Sequence, residues 1–417
     1  MLYQQINPIV YFVFVTYSIL FLIKAKSRNE FLIILSIFIF LQEQSAWDIA
    51  IKEIISNPIV VRLSDLVLII LVFYIIKGWL NDFDKLRVLK QNKINIFFML
   101  FLVFATLYGI MKYGYTAIAE FRSKFFFIIV LLYIVTNVQK LESIILLREI
   151  SKYLMPLILL VPLTLILKKD FTLSIENRVL SAFFYESIAL GFLGGYIYKN
   201  YLNSKYKIFN YLFPFFITSS LYLSHRSVWA MIFLIISLLF ITRGIKIKYS
   251  FQLGILLLTI YLILIKSNLS FFNERLLAFT NLEDDPTGKW RLLVWNTIIG
   301  DASYFGKGLG GRFEIWTSEL GYIQYGTHNM YMTLLYYLGY IGLIIFILFL
   351  ISIFIQLFSY NVKNIKYDSA KILSYLGFLS LVGVCIYMFA YESDLVSWIY
   401  ISFGLINFEQ KKKIVYK

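Results

Sequence analysis

HNMYMTLLYYLGYIGLIIFILFLISIFIQLF, residues His328–Phe358, carries no charged side chain from Asn329 onward. About 20 apolar residues in a helix cross the hydrocarbon of a bilayer. A helix satisfies its own backbone hydrogen bonds where no water can do so, and an isolated strand does not. The run therefore reads as a membrane helix with residues to spare. Its neighbours decide whether it is a single anchor or one member of a bundle.

They make it a member of a bundle. Apolar runs of comparable kind recur at Pro8–Ile23, Phe31–Trp47, Ile59–Ile76, Ile94–Met111, Ala117–Val135, Tyr153–Leu167, Ala182–Tyr198, Ile208–Leu223, Val228–Ile241, Phe251–Ile265, Ile372–Ala390 and Leu395–Ile406. With Asn329–Phe358 that makes about 12–13 transmembrane helices on the length criterion. The expected fold is an all-α polytopic membrane protein with one large external loop. Residues 1–266 hold helices 1–10, residues 267–328 form the external loop with short helices, and residues 329–417 hold the C-terminal helices and a short cytoplasmic tail. Composition agrees, since 60% of the 417 residues are hydrophobic and only 15% charged, with a mean hydropathy of +0.77. A β-barrel would show short alternating segments instead.

The net charge of +15 would suggest nucleic acid in a soluble chain. Here the basic residues gather in alternate connections: Lys24 and Arg28, Lys77 and Lys85, Lys140 and Arg148, Lys199 and Lys205, Arg243 and Lys246, Lys363 and Lys366, and Lys411 to Lys413. Those connections are expected inside, with the N-terminus outside and no nucleic acid as partner. Ser267–Thr327 lies on the opposite side, and its five basic residues are outnumbered by seven acidic ones. Its apolar patches, Leu292–Trp295 and Phe313–Trp316, suggest short helices on the membrane surface. The single cysteine, Cys385, cannot form an internal disulfide. Two histidines are too few for a histidine metal site. The N-terminus lacks a basic region and a small-residue cleavage site, so no cleaved leader is expected.

Ionisable groups that break the loop rule are the informative ones. Arg226 sits in SHRSVW (Ser224–Trp229), between two apolar runs. It snorkels to lipid phosphate, caps the preceding helix, or binds an anion. Arg291 opens an amphipathic segment in which Leu292, Trp295 and Ile299 can share a face. It belongs either to a solvated face or to a site. Arg312 follows GKGLGG (Gly306–Gly311), whose backbone could approach a ligand closely, although no strand is expected before it and no dinucleotide site is read there. His328 stands at the mouth of a helix beside Asn329, suited either to trading protons near neutrality or to bonding backbone. Glu186, inside the seventh span with Arg178 just outside, either pairs structurally or orients a polar substrate group. Arg62, Asp65, Glu120, Arg122 and Lys124 read mainly as interhelical pairs. The Glu283–Asp285 run reads as a solvated loop rather than a cation site.

SHRSVW at an outer hairpin, RLLVWNTII (Arg291–Ile299) ahead of GKGLGGR, and HNMYMTLLYYLGYIGL (His328–Leu343) entering a helix together resemble the shared signature of the O-antigen ligase/polymerase superfamily, which includes O-antigen and capsule polysaccharide polymerases. The resemblance covers about Leu221–Leu343, and the N-terminal half is similar in hydropathy only. His225 departs from the pattern, since small residues are more usual before the arginine. The resemblance implies a GT-C-like architecture and a metal-independent glycosyltransferase of the bacterial inner membrane, with its site facing the periplasm or exterior. It implies no cofactor and no metal. The partners it implies are an undecaprenyl-pyrophosphate-linked oligosaccharide and membrane lipids, with room for a chain-length regulator. Residue by residue, Arg226 and Arg291 match the family's pyrophosphate-binding arginines, and His328 matches the histidine proposed to activate the acceptor hydroxyl. Arg312 as a further pyrophosphate ligand, and Glu186 and Asn329 as orienting groups, are added on chemical grounds.

The chemistry fits that implication. A departing lipid diphosphate gains negative charge in the transition state, and arginine forks supply paired donors for it. A neutral histidine can accept the attacking hydroxyl's proton. Trp290, Trp295, Trp316, Tyr322 and Tyr325 offer ring faces to sugars. A polymerase joining lipid-linked repeats is the first expectation. A ligase passing the glycan to lipid A–core or protein is the alternative. A lipid-linked oligosaccharide flippase is the second, and it would call for paired half-domains that the sequence lacks.

Overall fold

The computed structural model describes residues 8–44, 53–55, 61–81, 93–168, 181–222, 226–243, 286–311, 314–317, 321–324, 329–358, 369–391 and 393–415. The expected span Phe251–Ile265 lies outside them. The described elements are helices apart from two short antiparallel hairpins. In order they are α1 (Pro8–Ile23), α2 (Arg28–Gln44), β1 (Glu53–Ile55), β2 (Val61–Arg62), α3 (Leu63–Asn81), α4 (Lys93–Tyr113), α5 (Tyr115–Asn137), α6 (Lys140–Leu154), α7 (Leu160–Lys168), α8 (Ala182–Ile197), α9 (Ile208–Tyr222), α10 (Arg226–Arg243), α11 (Pro286–Asp301), β3 (Glu314–Thr317), β4 (Gly321–Gln324), α12 (Met330–Phe358), α13 (Ser369–Tyr387) and α14 (Leu395–Val415). Four of these, α3, α4, α12 and α13, are long and apolar enough to cross a membrane. The chain is an all-α membrane protein.

Several described segments differ from the sequence expectation. Lys140–Leu154 reads as a basic connection but is a helix. It buries Ser143, Leu146, Leu147, Ile150, Ser151 and Leu154 on one stripe, so periodicity rather than hydropathy carried the signal. It continues through a 3-10 segment, Met155–Leu159, where Pro156 has no N–H to give to an α-helical ladder. Residues 314–317 form a strand paired with 321–324 rather than a surface helix. The third span begins at Leu63 rather than Ile59, because Val61–Arg62 pairs with β1.

Helices in lipid gain little from the hydrophobic effect on meeting each other, so close contact between their side chains has to hold them. An aromatic column supplies much of it. Phe127 of α5 stacks on Trp398 of α14 at 4.4 Å, Trp398 faces Phe349 of α12 at 6.1 Å, and Phe349 stacks on Phe98 of α4 at 4.6 Å. Each such pair contributes about 0.5–1.5 kcal/mol beyond its area. All four rings are buried. Where α13 meets α14, Gly377 and Gly404 let the backbones close: a Cβ on Gly377 would lie 3.1 Å from Tyr400 O.

α12 is two helices end to end. Gly339 has φ +70°, ψ −172°, a conformation that side chains exclude. Breaking a helix strands carbonyls and amides, and in lipid those must find partners. The segment after α11 supplies them. Lys307 N donates to Tyr336 O at 2.9 Å and Gly308 N to Tyr337 O at 3.0 Å, while Tyr340 N donates to Ser303 O and Ile341 N to Tyr304 O. Residues 340–358 alone run about 28 Å at 1.5 Å per residue, enough to span hydrocarbon. The first piece, 330–338, is left to build the site.

Candidate functional site

The site lies at the end of the bundle where α5, α8, α12 and α14 begin and α13 finishes. Asn329 is the N-cap of α12: its Oδ1 accepts from Tyr331 N at 2.9 Å and Met332 N at 3.2 Å. Met330 N donates to Met388 O and Tyr391 O, at 2.9 and 3.1 Å, so the first turn of α12 is seated on the turn that ends α13. The Tyr331 hydroxyl donates to Cys385 O at 3.0 Å and fixes the same contact from the side.

α11 covers this junction. Its buried face is Val294 and Ile298, which meet Leu335 of α12 with Trp290 and Trp295 packed beside them. The expected face of Leu292, Trp295 and Ile299 is thus rotated, and Ile299 is 48% exposed. This seating brings the Arg291 guanidinium over the ring of Tyr391, 5.7 Å from its centroid. Tyr391 stacks on Tyr387 at 5.2 Å, and Phe183 of α8 meets both rings edge-on. A cation over a ring face is attracted to it, and a guanidinium's planar set of N–H donors suits an anion.

Behind the rings stand two buried carboxyl groups. Asp394, in the connection between α13 and α14, accepts from Ser187 Oγ and Ser397 N, both at 2.9 Å. It is the N-cap of α14. Burial pushes its carboxyl up to about 6, against those hydrogen bonds, which act the other way. Glu186 of α8 lies within electrostatic reach of Asp394 and beside the Tyr387 hydroxyl. It is fully buried, yet neither of its oxygens closes a hydrogen bond of good geometry with the described residues, and nor does the Tyr387 hydroxyl.

A second polar cluster occupies the same end. Arg122 of α5 pairs with Asp65 of α3 at 2.5 Å while only 4% exposed, and Asp65 also accepts from Arg62 N at 2.8 Å. Glu43 of α2 accepts from Ser64 N and Ser64 Oγ, at 3.0 and 2.8 Å. The interhelical pairing expected for this group is present between Arg122 and Asp65.

The structure thus brings Arg291, Glu186 and Asn329 around Tyr387 and Tyr391. Arg226 is the first residue of α10, a helix whose Met231 and Ile235 rest against Gly383 of α13. Its side chain, together with Arg312 and His328, lies outside what the structure describes. The glycines that precede Arg312 are used within the protein. A Cβ on Gly310 would lie 2.7 Å from Ala117 N, and Gly306 abuts the Gly339 break. Sequence reasoning missed Tyr387, Tyr391, Asp394 and Phe183. The Ser393–Asp394 pair ahead of an apolar run is a readable N-cap signal, and tyrosines four apart at a helix end share a face. No protein-family model, curated protein or solved structure matches the chain.

Proposed function

We propose that the chain is a glycosyltransferase of the GT-C-like kind that polymerises a surface polysaccharide, moving a glycan from undecaprenyl pyrophosphate to the distal sugar of a lipid-linked repeat. The observation that carries this reading is Arg291 seated on Tyr391 at the junction of α11, α12 and α13. It supports the reading because one planar cation lies over a ring beside the cap that begins α12. In this reading Arg291 and Arg226 grip the diphosphate, with Arg312 as a further ligand. His328 takes the acceptor hydroxyl's proton, and Trp290 and Trp295 border the sugars. The site end faces the exterior of a bacterial inner membrane. Basic side chains such as Lys24, Arg28, Lys140, Lys199 and Lys205 support that orientation, because they fall at the opposite end of their helices.

The test is deletion of the gene followed by electrophoresis of surface glycans. The reading expects loss of the polymer ladder with one repeat left on its acceptor, and a chain carrying His328→Ala should not restore the ladder. Long chains retained on the carrier lipid would assign ligation instead, and an unchanged ladder would remove the reading.

A further inference from the structure

Away from the site rings, a line of buried polar groups runs down the inner face of α8 toward the opposite end of the bundle. It starts at Glu186, passes Asp394 at the N-cap of α14 and Ser397 on α14, and continues to the Tyr400 hydroxyl. That hydroxyl shares with Ser151 Oγ of α6 the space beside Gly194, where a Cβ would collide with the first and stand 2.7 Å from the second. Asp394 and Tyr206 both lie within electrostatic reach of Tyr400. Tyr206 in turn packs against Tyr198 at 5.2 Å and lies near Arg148 and Glu149. Arg148 is 32% exposed, so the line reaches solvent there. From Glu186 to Tyr198 the distance along α8 is about 18 Å. The backbone widens at that end into a π-helical turn, Tyr198–Leu202, which is a rare device concentrated at functional positions.

Most of these groups share an anomaly. The Glu186 oxygens, Ser397 Oγ, the Tyr400 hydroxyl and the Tyr206 hydroxyl are buried, and none closes a hydrogen bond of good geometry with the described residues, although Tyr387 stands beside Glu186 and Ser151 beside Tyr400. Leaving such a group unsatisfied is costly, and buried polar atoms in folded proteins are satisfied by protein or by ordered water. One orphan is an isolated cost. Four of them, one on α8, two a turn apart on α14 and one in the connection that follows α8, mark a path along the seam where these elements meet.

We propose that Glu186, Ser397, Tyr400 and Tyr206 hold a file of water that carries protons between the two ends of the bundle, with Glu186 as the group that takes them up and releases them. Each step moves one proton from an oxygen to a neighbouring water or hydroxyl oxygen, which passes its own proton onward. One proton enters and one leaves, only O–H bonds form and break, and no oxidant or co-reactant is required. The groups facing Glu186 are Tyr387 of α13 and Asp394 in the connection ahead of α14. Of these, Asp394 is already engaged as a helix cap. The proposal stands independently of the glycosyl-transfer reading.

The experiment uses the full-length chain reconstituted into liposomes that contain a pH-sensitive dye, with a potassium diffusion potential set by valinomycin. The wild-type protein should admit protons at least tenfold faster than protein-free liposomes, Glu186→Gln should return the rate to the protein-free value, and Tyr400→Phe should lower it severalfold. A wild-type rate equal to that of protein-free liposomes overturns the proposal, whatever the variants do. So does a raised rate that neither Glu186→Gln nor Tyr400→Phe changes, because the protons would then be crossing elsewhere.

Discussion

Replacing Gly339 by alanine tests how the two pieces of α12 are joined. The native conformation at φ +70°, ψ −172° is essentially closed to residues with a Cβ, at a cost of about 1–3 kcal/mol. The added methyl would also collide with Tyr304 O and Gly306 N and lie 2.5 Å from Ser303 O. All three are backbone atoms that cannot rotate away, so overpacking adds about 1–3 kcal/mol. The chain can escape only by giving up the four hydrogen bonds between residues 303–308 and 336–341, at about 1 kcal/mol each. The first route costs about 2–6 kcal/mol and the second about 4 kcal/mol, a large share of a typical folding free energy of about 5–15 kcal/mol. Unfolding of the purified protein in bicelles by graded denaturant measures it. Gly300→Ala is the control, since a Cβ there meets nothing within 4 Å and lies in the last turn of α11. It should be neutral or stabilising by up to about 1 kcal/mol. A Gly339→Ala protein within about 0.5 kcal/mol of wild type would refute both the strain and the splice between loop and helix.

Other outcomes follow from the site. Arg291→Lys keeps the charge but loses the flat fork over Tyr391, so polymer output should fall at least tenfold with the protein still folded; full output would reduce Arg291 to a generic cation. Asp65→Asn leaves the buried Arg122 without its partner and should cost about 3 kcal/mol, much of which the double variant with Arg122→Met should recover; additive losses in the two variants would show that the pair is not coupled. Because the folded-state value of Asp394 is raised, its ionisation is penalised in the fold. Stability should therefore fall by up to about 3 kcal/mol as pH climbs from 4 to 6 and level off above that. Asp394→Asn should flatten that slope in denaturation curves taken at each pH, and an unchanged slope would assign it to another group. Chelator should leave polymer synthesis intact in membrane preparations, whereas inhibition reversed by magnesium would shift attention to Glu283–Asp285.

The membrane character was legible because spans such as Pro8–Ile23 are bounded by hydropathy alone, and the helix has those same limits. Lys140–Leu154 was not, since Lys140, Arg148 and Lys152 dilute its hydropathy while leaving its buried stripe intact. The break at Gly339 was invisible because glycine is ordinary in membrane helices and its partners lie some thirty residues upstream. At the site, Arg291 announced itself as a charge out of place. Tyr391 and Tyr387 did not, because a tyrosine near a membrane boundary is commonplace. Their significance arises only when the turn at 388–391 receives the first amide of α12.

The splice between residues 303–308 and 336–341 is written in main-chain atoms. Side chains along that seam are free to drift so long as Gly306 and Gly339 stay bare, so two chains could share the same docking and show little common spelling across it. Likeness between such proteins is therefore better sought in where their glycines fall than in the letters between them.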